Sequence, residues 1–155
     1  MRIVGRLVDV HNLMWAIRYR LLRHASEEEL INYTLPFGQR VADEDIRAIG
    51  AGADLEGVVM RIFPELSESA GSLMQTQGGL ARLETMLQRM VAQRCLTALL
   101  GNPFHIGIPM AYLVLLDLEL QDLIVLVEAR SSGATANEFT SYLIRSDELG
   151  VGHPS

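Results

Sequence analysis

Two stretches of this chain, VDVHNLMWAIRYR at residues 8–20 and LELQDLIVLVEAR at residues 118–130, carry one arrangement of acid, amide or acid, leucine and arginine. Asp9 falls on Glu119, Asn12 on Asp122, Leu13 on Leu123, Ile17 on Val127 and Arg20 on Arg130. In each copy the two polar residues sit three apart, so both project from one side of an α-helix. The correspondence continues downstream, where Ser26, Glu29, Leu30 and Tyr33 fall on Thr135, Glu138, Phe139 and Tyr142. A Ser or Thr with Glu three residues later is the reciprocal signal of a helix start. A long helix followed by a capped short helix thus occurs twice, which points to an all-α fold built from repeated helical units.

Helical periodicity extends to most of the chain. Val10, Leu13, Met14, Ile17 and Leu21 predict a helix over residues 3–23, and the Ser26 cap opens a short one to about Asn32. LPFGQ reads as a turn. Short helices are expected at 43–49 and at 54–62, the latter opened by Asp54 with Leu55, Val58, Val59 and Ile62 on one face. The stripe Leu80, Leu83, Leu87, Met90, Val91 and Ala98 predicts a long helix over 80–100, ended by Gly101. Pro109 suits the first position of the next helix, expected to end near Arg130, and Thr135 opens a last one to about Arg145. No alternating strand pattern competes. The expected organisation is a helical unit at 1–63, a Ser-, Gly- and Gln-rich linker at 64–79, a second unit at 80–146 and a frayed tail at 147–155.

Charge and composition narrow the function. A net charge of -6 argues against nucleic acid as a partner, because phosphate neutralisation needs a basic surface. All 13 positive charges are arginine, so a phosphate loop ending in Gly-Lys, a lysine Schiff base and a kinase-type lysine are excluded. We read that bias as genomic, the mark of a GC-rich prokaryote. The single Cys95 has no internal disulfide partner, and no secretory signal pattern is visible. The most apolar stretch, IGIPMAYLVLLDLELQDLIVLV at 106–127, holds Asp117, Glu119 and Asp122 near its middle. Three acids deep in hydrocarbon are prohibitive, so a buried protein helix is expected there rather than a membrane span.

The pairs Asp9 with Asn12 and Glu119 with Asp122 read first as hydrogen-bonding groups within the fold. A catalytic carboxylate pair is disfavoured, since an amide stands in for one acid in the first copy. His11, His24, His105 and His153 show no metal-ligand spacing, and His105 suits a backbone hydrogen bond in a turn. Met14, Met60, Met74, Met86, Met90 and Met110 read as packing residues. No catalytic, cofactor-binding or metal-binding residue is assigned. GNPFHIGIP forms a fixed corner between two long helices, with Phe104 at its centre.

At this corner a family resemblance appears. NPFHIGIPMAYLVLLDLELQDLIVLVEA resembles the C-terminal signature of the socket subunit of V/A-type rotary ATPases, which carries the letter C in prokaryotes and d in eukaryotes. The matching residues are Pro103 and Phe104, Gly107, Ala111 and Tyr112, Asp117 and Glu119, and Asp122 and Leu123. VDVHNLMWAIRYR is similar to the family's D-x-x-N-L helix through Asp9 and Asn12, LPFG to its Pro-Gly segment, and GGLARLETMLQRMV to its L-E-x-x-L helix through Leu83, Glu84 and Leu87. The likeness runs from Val4 to Arg145 and covers the C-terminal two-fifths of a typical member, as a fragment or a shortened homologue would. Where the family is usually basic along the last long helix, Leu116, Leu118, Gln121, Ile124 and Glu128 stand here.

The resemblance implies a funnel-like, pseudo-symmetric helical fold and a non-catalytic central-stalk subunit without cofactor. It implies a peripheral protein on the cytoplasmic face of the membrane, meeting the bilayer only through the proteolipid ring and receiving the end of the central shaft. Asp9, Asn12, Arg20, Phe104, Tyr112, Glu119, Asp122 and Arg130 are the residues expected to pack the repeat or meet those partners. The rival readings are a helical scaffold or regulatory module that has left the motor, and an acid-base hydrolase using Asp9, Glu119 or Asp122.

Overall fold

The computed structural model describes residues 2–23, 26–66, 78–102 and 104–145. Among them the chain forms seven α-helices, one 3-10 turn and no strand. Two compact units divide at Leu83 and Glu84. The tail expected at 147–155, most of the linker expected at 64–79, and Pro103, His24, Met74 and His153 lie outside the described residues.

The first unit holds α1 (Arg2–Arg23), α2 (Glu27–Asn32), α3 (Asp43–Gly50) and α4 (Leu55–Ile62). Both α1 and α2 pack on α3, and α3 on α4. Leu13, Ala16 and Ile17 of α1 are fully buried with Leu30 of α2 and Ile49 of α3, while Val58, Val59, Ile62 and Phe63 close the core from α4. Each start follows from local chemistry. Ser26 exchanges hydrogen bonds with Glu29, and the Asp54 carboxylate accepts the Gly57 N–H at 3.0 Å. The expected stripe of α1 stops short, however: Leu21 is exposed.

The division between the units falls within α5 (Gly79–Leu99), which is followed by α6 (Gly107–Ser132), α7 (Ala136–Phe139) and a 3-10 turn at Thr140–Tyr142. Leu87, Val91 and Cys95 recur every four residues along α5 and are buried, and burial pushes the Cys95 thiol pKa up. Three expectations are corrected here. Helix α6 begins at Gly107, not at Pro109, because the Gly107 N–H is taken by His105 Nδ1 at 2.9 Å and the turn before it winds directly into the helix. Pro109 still costs no bond, since the first four N–H groups of a helix have no partner within it. At its other end α6 runs to Ser132, where Gly133 at φ 69 turns the chain out.

The last helix ends at Phe139 instead of Arg145, because the backbone of residues 143–145 is held out of the helical path by side chains of other helices. Finally, α6 is buried along one side only. Ala111, Val114, Leu115, Leu118, Asp122 and Ala129 face inward, whereas the opposite side, Met110 and Tyr112 included, is exposed.

Truncating a side chain tests this sidedness. Leu87→Ala, at a fully buried position, is expected to cost about 2–5 kcal/mol in urea unfolding. Leu120→Ala, on the open side of α6, is expected to change stability by less than about 0.5 kcal/mol.

Candidate functional site

Asp9 and Asn12 of the first matched segment and Asp122 of the second face the backbone of the chain that follows the capped short helix. In the first unit Asn12 Nδ2 donates to the Leu35 carbonyl at 2.8 Å, and the Leu35 N–H donates back to Asn12 Oδ1 at 2.8 Å. One turn earlier Asp9, fully buried, accepts the N–H groups of Gln39, Arg40 and Val41 at 2.8, 3.0 and 3.1 Å through Oδ1, and that of Arg40 again through Oδ2. Two side chains of α1 therefore fix residues 35–41 at both ends. Gly38 is required by this approach: a Cβ there would stand 2.7 Å from Asp9 Oδ1.

Phe37, between the two attachments, is held at φ 74 and is 86 % exposed. Left-handed backbone at a bulky residue persists only where its surroundings impose it. Arg40 then ties this segment to the end of α4, donating to the Ile62 carbonyl at 3.2 Å and to Glu65 at 2.6 Å. That hydrogen bond holds the Glu65 carboxyl below its ordinary pKa.

The second unit repeats the interaction with different residues. Asp122, buried on α6, accepts the Ile144 N–H at 2.6 Å and the Arg145 N–H at 2.9 Å. These partners lie 22 and 23 residues downstream, as Leu35 lies 23 downstream of Asn12. Arg89 of α5 holds the other side of the same segment, its Nε and Nη2 donating to the Leu143 carbonyl at 3.1 and 2.6 Å. Upstream, the Thr135 N–H and hydroxyl donate to Glu138, as Ser26 does to Glu29, and both carboxyls are held below their ordinary pKa chiefly by the backbone N–H.

Asp9 and Asp122 are the chemical centres of this arrangement, and their oxygens are aimed at amide hydrogens. Such carboxylates fix the backbone. In comparison with known protein families, the ATP synthase (C/AC39) subunit family matches residues 1–142, nearly the whole chain. The chain belongs to this family. Neither curated proteins nor solved structures gave a match. Within this C/AC39 chain the clamped segments lie at LPFGQRV and LIR.

The other expected site residues are placed differently. Glu119 diverges from its counterpart Asp9: it is exposed and reaches Arg145 at 3.7 Å. Arg20 lies half-buried against the Gly52 turn, and Arg130 is exposed near the end of α6. Phe104 and Tyr112 are exposed, the former with its N–H donating to Asn102 Oδ1 at 3.0 Å. Asp9, Asn12 and Asp122 are buried against backbone partners, while Phe104, Tyr112, Glu119 and Arg130 are exposed. Sequence reasoning missed Arg40 and Arg89, which carry no local signal; each is recognisable only by the distant carbonyl that it reaches.

A further feature of the first unit is an aromatic cluster. Trp15 stacks on Tyr19 at 4.5 Å and tilts against Tyr33 at 5.6 Å, and together with Arg23 and Glu29 these rings line an open cavity of about 430 Å³. Arg23 covers the Tyr19 ring at 5.7 Å.

Three outcomes are expected. Asp122→Ala strands two amide hydrogens and should destabilise by about 2–5 kcal/mol, against less than about 1 kcal/mol for Glu119→Ala, measured by denaturant unfolding. Phe37→Gly should raise stability by about 1 kcal/mol by relieving the left-handed backbone, read as a higher melting temperature. Since Glu29, Glu65 and Glu138 have lowered folded-state pKa values, the stability they contribute is complete above the ordinary glutamate range and is lost as pH falls through those lower values. Glu65→Gln should accordingly flatten part of the acid limb of a melting-temperature profile.

Proposed function

We propose that this chain is a socket subunit of a V/A-type rotary ATPase or ATP synthase, joining the rotating central shaft to the membrane proteolipid ring during ion transport. The observation that carries the reading is the match of the ATP synthase (C/AC39) subunit family to residues 1–142. The physical task is mechanical. A slender shaft must pass torque to a ring without slipping, so the connecting body has to resist deformation.

Close-packed helices have low compressibility, and the weak points of a helical body are its non-helical connections. Here the non-helical segments 35–41 and 143–145 are tied to the long helices by charge-assisted hydrogen bonds from Asp9, Asp122 and Arg89. The role is non-catalytic, in keeping with two buried carboxylates committed to backbone amides. A net charge of -6 suits orientation toward basic loops of the shaft or the ring. Contact with the bilayer runs through the ring, on the cytoplasmic face, and among the described residues no helix is long and apolar enough to cross a membrane.

Co-purification tests the proposal: the chain, or the full-length protein containing it, should be retained by a detergent-solubilised proteolipid ring bearing the shaft subunits and be released by raised salt. Absence of retention at low salt would overturn the motor assignment and leave a helical scaffold of the same family.

A further inference from the structure

The cavity between α1 and α2 is lined by Trp15, Tyr19, Arg23, Glu29 and Tyr33, and the chemistry of these five side chains selects what it can take. Trp15, Tyr19 and Arg23 follow one another at four-residue spacing and share one side of α1. Trp15 stacks on Tyr19 at 4.5 Å and the Arg23 guanidinium covers the same ring at 5.7 Å, so the two faces of Tyr19 are both occupied. The cation that an aromatic ring attracts is thus supplied by the chain itself. A nucleobase or a quaternary ammonium would find no open face there. Tyr33, tilted against Trp15 and 69 % exposed, is the ring that leaves apolar surface to a ligand.

What the cavity offers besides is donors. Among the described residues the Arg23 guanidinium makes no hydrogen bond or ion pair, and the Trp15 Nε1–H and the hydroxyls of Tyr19 and Tyr33 meet no protein acceptor. A guanidinium presents its N–H groups as a fork that matches a carboxylate or a phosphate. Glu29, the one carboxylate of the lining, is engaged elsewhere: its Oε2 accepts the Ser26 N–H at 2.9 Å and the Ser26 hydroxyl at 3.1 Å. Its charge still stands beside the cavity and works against a multiply charged phosphate, which leaves the singly charged carboxylate as the better match. From the free guanidinium and the open ring we infer that this cavity binds a carboxylate carried on an apolar or aromatic body, the carboxylate meeting Arg23 and the body lying against Tyr33. Such a group belongs either to a free organic acid or to the C-terminal residue of a protein chain. The site lies wholly within the first unit and does not rest on the rotary reading, so its failure leaves that assignment standing.

Trp15 is the only tryptophan of the chain, so its fluorescence reports on the cavity directly. The whole chain is titrated with phenylbutyrate, with uncharged phenylbutanol and cationic phenylbutylamine as controls of matched shape, and with inorganic phosphate. The acid should change Trp15 emission saturably, and each control should bind about tenfold more weakly or less. Arg23→Gln should weaken the acid by about tenfold or more. Tyr33→Ser should weaken it as well; both positions are exposed, and circular dichroism checks that helicity is unchanged.

A short peptide ending in Phe with a free carboxylate, and its amidated twin, separate the two sources. Tighter binding of the free-acid peptide than of phenylbutyrate assigns the site to a chain terminus, and binding of phenylbutyrate alone assigns it to a small acid; either result supports the inference. Equal responses to the acid and the alcohol would reduce the cavity to apolar contact and overturn it. So would tighter binding of the amine or of phosphate than of the acid, an acid titration unchanged by Arg23→Gln, or no saturable change with any of the probes.

Discussion

Everything in the two units hangs on a polar side chain of a long helix accepting the backbone N–H groups of an irregular segment that has no secondary structure of its own. Residues 143–144 are buried, and backbone amides there must find partners or cost more than most single contacts contribute, whereas residues 35–41 are exposed or half-buried and are held in place rather than rescued from burial. In the first unit Asp9 and Asn12 supply those partners; in the second Asp122 supplies the acceptors, and Arg89 covers the carbonyl side. Gly38 is a glycine because a carboxylate oxygen stands where its Cβ would be.

The same interaction explains why buried acids in this protein do not suggest hydrolysis. A catalytic carboxylate needs an oxygen free to exchange a proton with a reactant. Asp9 and Asp122 have theirs pointed at the amides of residues 39–41 and 144–145. A body whose connections are pinned in this way suits the transmission of force, and such a role asks for geometry and stiffness in place of reactive groups.

Much of this is legible in the residues alone. The caps at Ser26 and Thr135, the ends of α1 to α4 and the all-α class come from signals that act within a few residues, and the structure places the helices close to where those signals put them. The matching of Asn12 with Asp122 points at the residues that hold the irregular segments. The equation of Asp9 with Glu119 goes further than the geometry does, since one is buried among amides and the other exposed. Local signals carry the last helix too far because its end is imposed by Asp122 and Arg89, which approach from other helices.

Sequence by itself determined where α1 to α5 start and end and which positions could be polar and inward, because capping and periodicity are properties of neighbouring residues. Only tertiary structure decided which side of α6 is covered. That helix is apolar nearly all round, so its pattern contains no preferred face, and sidedness arises only when another element packs against it. The long-range pairings of Asp9, Arg40 and Arg89 belong to the same class: a side chain reaching a carbonyl or amide tens of residues away is recorded in no local signal, only in the packing that brings the two together.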